Sequence, residues 1–366
     1  MKILLDNIIF SNVSQGGVSN YWFELSKYLL NQKEDEVCLY EESNAIENFH
    51  RQQLEIPSKH ILLNNNSKPS FLSRITPIKH FSGEYLIYHS SYYRPLKGAT
   101  NYDEVTTVHD FTHNYFSSFQ KRIIHNQLKY SAIKRSKGVI CVSLNTYNDL
   151  KKFCPTRTSQ KVEIINNGVS DDYYPILSYS KTDLDFFNKK GLQDDYVMFV
   201  GARTNYKNFL FTVELLKVNK ELKFIIVGNE LTNTERKFFD SNLLKRTIFL
   251  NNISNVELNL LYNNAIALIY PSSYEGFGIP IIEAMKAACP VIVLDNSSIK
   301  EVAGDAGILL KELEITIFTK KINELRKNLD YRKNLIYLGI DQSKKFSWSK
   351  CCKETHDFYK EIESEK

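Results

Sequence analysis

The run from Tyr270 to Glu283, Tyr270-Pro271-Ser272-Ser273-Tyr274-Glu275-Gly276-Phe277-Gly278-Ile279-Pro280-Ile281-Ile282-Glu283, sets two glutamates eight residues apart across a Gly-Phe-Gly turn. Ala265 to Tyr270 reads as a strand, and Pro280 suits a position near the start of the helix that follows. The glycines Gly276 and Gly278 let backbone N–H groups, that of Phe277 among them, come close to a ligand, and a helix N-terminus favours an anion such as a diphosphate. Glu283, expected in the first turn of that helix, could accept hydrogen bonds from vicinal hydroxyls such as those of a ribose. Glu275 would face whatever the glycines cradle. A capped helix in which Glu283 only complements the dipole is the alternative.

A second group follows the strand Tyr196 to Gly201. Arg203 and Lys207 are four residues apart at a strand-to-helix junction, where a fork and a point charge could clamp two phosphates. Near the N-terminus, Gly16-Gly17 turns the chain between strand and helix without completing a GxGxxG pattern. His109-Asp110 falls at the carboxyl end of the strand Glu104 to Val108, and Ser143 either caps the next helix or serves chemistry. Asp183-Leu184-Asp185 matches an acidic metal-binding pattern, but no apolar strand leads into it and a solvated linker is expected. There is no GxxxxGK[ST], no HExxH and no GxSxG, so a P-loop transferase, a zinc hydrolase and a serine hydrolase are not indicated. No metal site is expected.

These residues need elements to hold them. Strands are expected at Lys2 to Asn7, Val37 to Tyr40, Tyr85 to His89, Glu104 to Val108, Gly138 to Val142 and Lys161 to Ile165, and after Pro175 at Tyr196 to Gly201, Lys223 to Gly228, Thr247 to Leu250, Ala265 to Tyr270 and Val291 to Leu294. Helical spacing of Val18, Tyr21, Trp22, Leu25 and Leu29 exemplifies the stretches between them. Alternation of this kind predicts an α/β chain of two doubly wound parallel sheets. The expected domains are 1–175, completed by a terminal helix at 346–366, and 176–345. Ligands of such sheets bind beyond the carboxyl strand ends, so a cleft between the halves is the expected active site.

With 366 residues, 43% hydrophobic and 24% charged, the chain is an ordinary globular protein long enough for two domains. It has no apolar run long enough to span a membrane, and the acid Asp6 so near the start argues against a secretory signal. A cytoplasmic protein with reduced cysteines is expected, the vicinal Cys351-Cys352 being helix filler. Net charge is +5, yet residues 51–170 hold 17 Lys+Arg against 7 Asp+Glu. That basic stretch suits nucleic acid, anionic lipid headgroups or phosphorylated ligands, with a solvated lysine-rich surface as the alternative.

In combination, Glu275 to Glu283, Arg203 with Lys207, Gly16-Gly17 and His109-Asp110 resemble the retaining glycosyltransferases of family 4, over essentially the whole chain. The resemblance implies the GT-B architecture, two Rossmann-like domains facing across a cleft. It implies that Glu283 binds the nucleotide ribose, that Arg203 and Lys207 bind the diphosphate, and that Gly276, Phe277 and Gly278 offer amides to phosphate and sugar. Glu275 would contact the donor sugar and His109 would lie by the reacting carbon. Gly16 and Gly17 would close over the diphosphate, and the base would rest near Asn252-Ile253. The donor would be a GDP- or UDP-linked sugar, with no further cofactor and no metal. The segments Tyr206-Lys207-Asn208 and His89-Ser90-Ser91-Tyr92-Tyr93 resemble a subgroup of bacterial surface-polysaccharide enzymes, often mannosyltransferases. Their acceptors are glycans, commonly lipid-linked, which implies an anionic membrane surface as partner, a peripheral location on the inner face of the membrane, and no nucleic acid. Ala202, which separates Gly201 from Arg203, departs from the usual adjacent Gly-Arg. A nucleotide-sugar epimerase of the same fold and a catalytically silent sugar-nucleotide-binding subunit are the competing readings.

Overall fold

The computed structural model describes residues 1–64, 70–80 and 82–365. The chain divides into two compact units, one of residues 1–168 with 348–366 and one of residues 169–347. The first division falls ahead of Pro175, the boundary expected from the Gly/Asn/Pro punctuation. The reason is visible in the second unit. There the Tyr174 and Ile176 amides donate to the Asn259 and Asn263 side chains at 3.1 and 2.7 Å, fastening the stretch to that unit.

The first unit is built on a parallel seven-stranded sheet. Its strands are β1 (Lys2–Asp6), β2 (Glu36–Glu42), β3 (Ile61–Asn64), β5 (Leu86–Ser90), β7 (Tyr102–Val108), β8 (Gly138–Cys141) and β9 (Lys161–Ile164), with β4 (Ile78–Lys79) and β6 (Leu96–Lys97) pairing apart from it. The spatial order is β3-β2-β1-β5-β7-β8-β9. β5 and β8 are buried at every residue, as expected of parallel strands covered by helices on both faces. The helix Gly17–Leu30 buries Tyr21, Trp22, Leu25 and Leu29, the stripe its spacing predicts. Before it, Ile8–Asn12 forms a short helix where the sequence suggested only a turn.

The terminal helix Trp348–Ser364 covers this sheet with Trp348, Cys351, Cys352, Thr355, Tyr359 and Ile362, a spacing of three and four residues that makes one continuous stripe. The two cysteines are free and buried, and burial pushes both thiols well above their ordinary range. The helix lies so close to β8 that a Cβ at Gly138 would meet the Phe358 ring at 2.7 Å. Glycine there is a condition for the packing.

The second unit carries β10 (Tyr196–Val200), β11 (Lys223–Val227), β12 (Thr247–Leu250), β13 (Ala267–Tyr270), β14 (Val291–Leu294) and β15 (Ile308–Leu310) in the order β12-β11-β10-β13-β14-β15, all parallel. Phe199, Phe209, Phe224, Val213, Leu216 and Phe318 fill part of its core. In each sheet the strand order reverses once, between β1 and β5 and between β10 and β13. A crevice opens outside the carboxyl ends of the strands at such a switch point. The edge strands β3 and β15 and the two-residue strands β4 and β6 were not expected from the sequence, whereas the edge strands β9 and β12 were. Asp183 and Asp185 lie in the helix Lys181–Lys190 and not in a linker, with Asp183 closing a capping box on Ser180.

Candidate active site

In the second unit the loops leaving β10 and β13 emerge side by side at the switch point and are stitched together. The Ser273 amide donates to the Tyr206 carbonyl at 2.7 Å, and the Asn208 side chain donates to the Pro271 carbonyl and the Ser273 hydroxyl, each at 2.7 Å. Asn208 adopts a left-handed backbone (φ 51°) after the short turn Asn205–Lys207. That bend directs Lys207 across to the neighbouring loop. Its Nζ lies 2.7 Å from Glu275 Oε1 and 3.0 Å from the Tyr270 hydroxyl, and that hydroxyl donates to the same carboxylate oxygen at 2.8 Å. Burial alone would lower the lysine; Tyr270 and the Glu275 carboxylate outweigh it and hold the ammonium above its ordinary value. Lys207 is therefore a fixed positive charge with low exposure.

The Glu275–Gly278 turn is held from a third loop. The Glu275 amide donates to Ser297 Oγ at 3.0 Å, and Ser298 Oγ donates to the carbonyls of Glu275 and Phe277 at 2.9 and 3.0 Å. Sequence reasoning passed over Ser297 and Ser298, although their place just beyond β14, on the same sheet edge, was a usable signal. Phe277 turns its ring inward against Phe346 at 5.6 Å, so only its backbone faces a ligand. Gly278 (φ 101°) precedes the helix Ile279–Lys286, which has no side-chain cap and no acid in its first turn. An N-terminus of this kind leaves backbone donors for an anion.

Glu283 is the fifth residue of that helix, beyond the first turn where it was expected, so dipole compensation does not account for it. Burial pushes its carboxyl up to about 7, and hydrogen bonds from Tyr262 and Tyr173 pull the other way, the Tyr262 contact being 3.3 Å. Tyr173 lies edge-on to Tyr262, with ring centres 6.0 Å apart. A carboxyl poised between charge states and held by two phenols suits an acceptor for ligand hydroxyls.

The structure gives Arg203 different partners from Lys207. Its Nε lies 2.8 Å from Glu235 Oε1, and its other two nitrogens donate to the Asn229 and Glu230 carbonyls at 2.7 and 2.6 Å. Glu235 also caps the helix Asn233–Arg236 through Thr232. To reach a phosphate, Arg203 has to exchange these bonds. Half-buried Ile253 stands between β12 and the helix Asn255–Asn264, one residue after left-handed Asn252 (φ 49°).

In the first unit Gly16 precedes the helix Gly17–Leu30 with an extended backbone, and a Cβ there would meet nothing within 4 Å. The fold itself makes no demand for glycine at that position. His109 leaves the carboxyl end of β7 with its ring 5.1 Å from Tyr21, edge-on. Burial pushes it down to about 4, Lys129 adding to the effect and Asp110 opposing it, so the ring is neutral at pH 7. Burial opposes the charge of Asp110, yet Lys129 and the Thr112 N–H hold its carboxyl below the usual range. Ser143 caps the helix Leu144–Phe153 by accepting from the Thr146 amide.

Sequence reasoning missed Arg94. This fully buried guanidinium pairs with both carboxylate oxygens of Asp6 at the end of β1 and with Glu42 Oε1 at the end of β2, the latter at 2.8 Å. Ser90 also donates to Asp6, at 2.7 Å. Among the described residues no three His, Cys, Asp or Glu side chains gather where one metal ion could be held, and no helix is long and apolar enough to cross a membrane.

Comparison with known proteins agrees with this architecture. Residues 15–173 match the family described as Glycosyltransferase Family 4, and residues 180–342 match Glycosyl transferases group 1. Over 205 residues the chain is 32% identical to the O-antigen chain mannosyltransferase RfbU of Salmonella typhimurium, covering 55% of this chain and 54% of that one. The chain thus spans about half the length of the curated relatives it matches. Sucrose-phosphate synthase of Thermosynechococcus elongatus superposes with a TM-score of 0.76 at 15% identity, covering 100% of both chains. HepE of Anabaena, solved with UDP-glucose, superposes with a TM-score of 0.71 at 16% identity, covering 99% of this chain and 100% of its own.

Proposed function

Since the chain belongs to the glycosyltransferases of family 4, with the GT-B fold, we propose that it is a retaining, metal-independent hexosyltransferase. It moves a hexose from a nucleotide-diphosphate sugar to a glycan acceptor, lipid-linked, in the assembly of bacterial surface polysaccharide. Mannose is the favoured sugar, because a relative with 32% identity is named as an O-antigen mannosyltransferase. The observation that carries the reading is the Lys207–Glu275–Tyr270 cluster at the switch point of the second unit, beside a helix N-terminus without a side-chain cap.

Breaking the bond from sugar C1 to phosphate oxygen builds positive charge on the sugar and negative charge on the departing diphosphate. Fixed donors aimed at the developing charge lower that barrier without having to reorganise. In this reading Lys207 and the amides of Gly276 to Gly278 receive the diphosphate. Arg203 joins them by exchanging its carbonyl and Glu235 bonds. Glu283 accepts from the ribose hydroxyls, Ile253 lies by the base, and Glu275, anchored by Lys207 and Tyr270, meets the sugar hydroxyls. Taken by itself, the first unit offers an open backbone at Gly16 and a neutral ring at His109. The acceptor hydroxyl attacks C1 from the face the diphosphate leaves, and its proton passes to the departing phosphate oxygen. Retention follows without a covalent intermediate.

Thermal melting of the purified protein with GDP, UDP, ADP and dTDP tests the reading, with Glu283→Ala as control. A nucleotide at 100 times its Kd adds about 2.7 kcal/mol of stability. Stabilisation by GDP, lost in Glu283→Ala, with transfer that persists in EDTA, is the expected outcome. Stabilisation by UDP alone would redirect the donor to glucose, galactose or their N-acetyl forms. No response to any nucleotide overturns the reading and leaves the silent subunit.

A further inference from the structure

We propose that the outward face of the helix Phe119–Arg135, with the short helix Thr112–Phe116 before it, is the surface by which this protein docks on an anionic lipid bilayer. The proposal deepens the lipid-linked acceptor reading. It rests on that reading for its purpose, while docking itself is measured without a donor.

The helix has two apolar faces. One buries Ala132, Ile133 and the stem of Lys129, whose Nζ donates to the Asp110 carbonyl at 2.5 Å. The other is turned to solvent, where Phe119 is 67% exposed, Ile123 51% and Ile124 48%, with exposed Tyr115 and Phe116 just before them. Single exposed apolar residues are common, but a cluster on one helix face marks an interaction site.

The charges around this cluster have one sign. Lys121 and Arg122 flank it, and the Arg122 guanidinium sits 5.6 Å from the centre of the Phe119 ring. Lys152 reaches the Tyr115 hydroxyl at 3.3 Å. No Asp or Glu occurs between Asp110 and Asp149. Asp149 accepts from Tyr115 at 2.6 Å, and the Asp110 charge faces buried Lys129. Apolar side chains ringed by lysine and arginine are what an interfacial helix presents to anionic headgroups. A second copy of this chain would set Lys121 and Arg122 against themselves, and a nucleic acid would leave the two isoleucines and the phenylalanine wet. The surface begins just past the carboxyl end of β7, the edge where His109 stands, so docking would bring that edge to the membrane that holds the acceptor.

The test is sedimentation of the full chain with phosphatidylcholine vesicles and with vesicles that also contain phosphatidylglycerol. Variants are Phe119→Ser with Ile123→Ser and Ile124→Ser, Lys121→Glu with Arg122→Glu, and, as a control on the other unit, Leu177→Ser, which is 98% exposed. The native chain and Leu177→Ser should bind the phosphatidylglycerol vesicles. Each patch variant should lose at least about tenfold in affinity while keeping its melting temperature and its response to nucleotide. Native-like binding by the patch variants overturns the proposal, as does failure of the native chain to bind. So does a native oligomer, seen by gel filtration, that the serine variant converts to monomer, since the face would then join two copies. A nucleotide response without vesicle binding sinks only the docking surface, and vesicle binding without a nucleotide response sinks only the donor reading.

Discussion

The two units share a strand order around their switch points, yet they fill that point differently. In the second unit the loops after β10 and β13 meet through Lys207, Glu275 and Tyr270, with small residues and backbone donors beside them. In the first unit the corresponding loops after β1 and β5 are welded by Arg94 to Asp6 and Glu42, and Arg51 binds Glu41 at 2.8 Å close by. One crevice holds an ion pair with groups a ligand can use, and the other holds ion pairs that close the fold. Topology sets where a crevice forms, and the polarity of two or three loop residues decides whether it remains available.

Substitutions can break that contrast. Lys207→Ala should lower sugar transfer about 100- to 1000-fold, the scale seen when a fixed donor to developing charge is removed, while the purified protein still melts cooperatively. Arg94→Ala should do the reverse. It leaves Asp6 and Glu42 buried without their cation and should cost about 3–5 kcal/mol in urea unfolding, with nucleotide binding retained by whatever fraction stays folded. Equal stability losses in the two variants would erase the distinction between the crevices.

A smaller effect sharpens the contrast through Glu283. Its carboxyl is pushed up to about 7 in the folded protein, above its ordinary value of 4.5. The neutral form is favoured on folding, so its contribution to stability is present in full below pH 4.5 and is lost as pH rises to about 7. Ligand hydroxyls need the carboxylate, so affinity for the nucleotide sugar should fall about tenfold per pH unit below 7 and level off above it. In Glu283→Gln, calorimetric titration should give a flatter profile. The smallest effect belongs to Gly16→Ala. With open space around a Cβ, stability should change by less than about 0.5 kcal/mol, while transfer falls several-fold if a diphosphate approaches that backbone.

What could be read in the sequence follows from how locally each feature is determined. Central strands and the Glu275 to Glu283 segment stand out because a short apolar run and a turn announce themselves within a dozen residues. Arg94 did not, because the acids that define its role lie 88 and 52 residues away. Arg203 was legible as a cation, but its choice of Glu235 and two carbonyls depends on how the loop after β11 folds back. The basic surplus of residues 51–170 also misled in part. The first unit as a whole holds 24 Lys+Arg against 20 Asp+Glu, because residues 1–50 and the terminal helix add 13 Asp+Glu but only 7 Lys+Arg. The docking helix was hidden for a different reason: apolar residues on two of its faces blur the single stripe that periodicity detects.

The terminal helix has a consequence for biosynthesis. Because Trp348–Ser364 completes the first unit, the ribosome delivers every residue of the second unit before it delivers the segment that seals the first. The half whose synthesis starts earlier is therefore finished later. Until Phe358 and Ile362 emerge from the exit tunnel, the face of β8 over Gly138 waits uncovered, and a nascent chain stalled in that interval would expose the sheet around it.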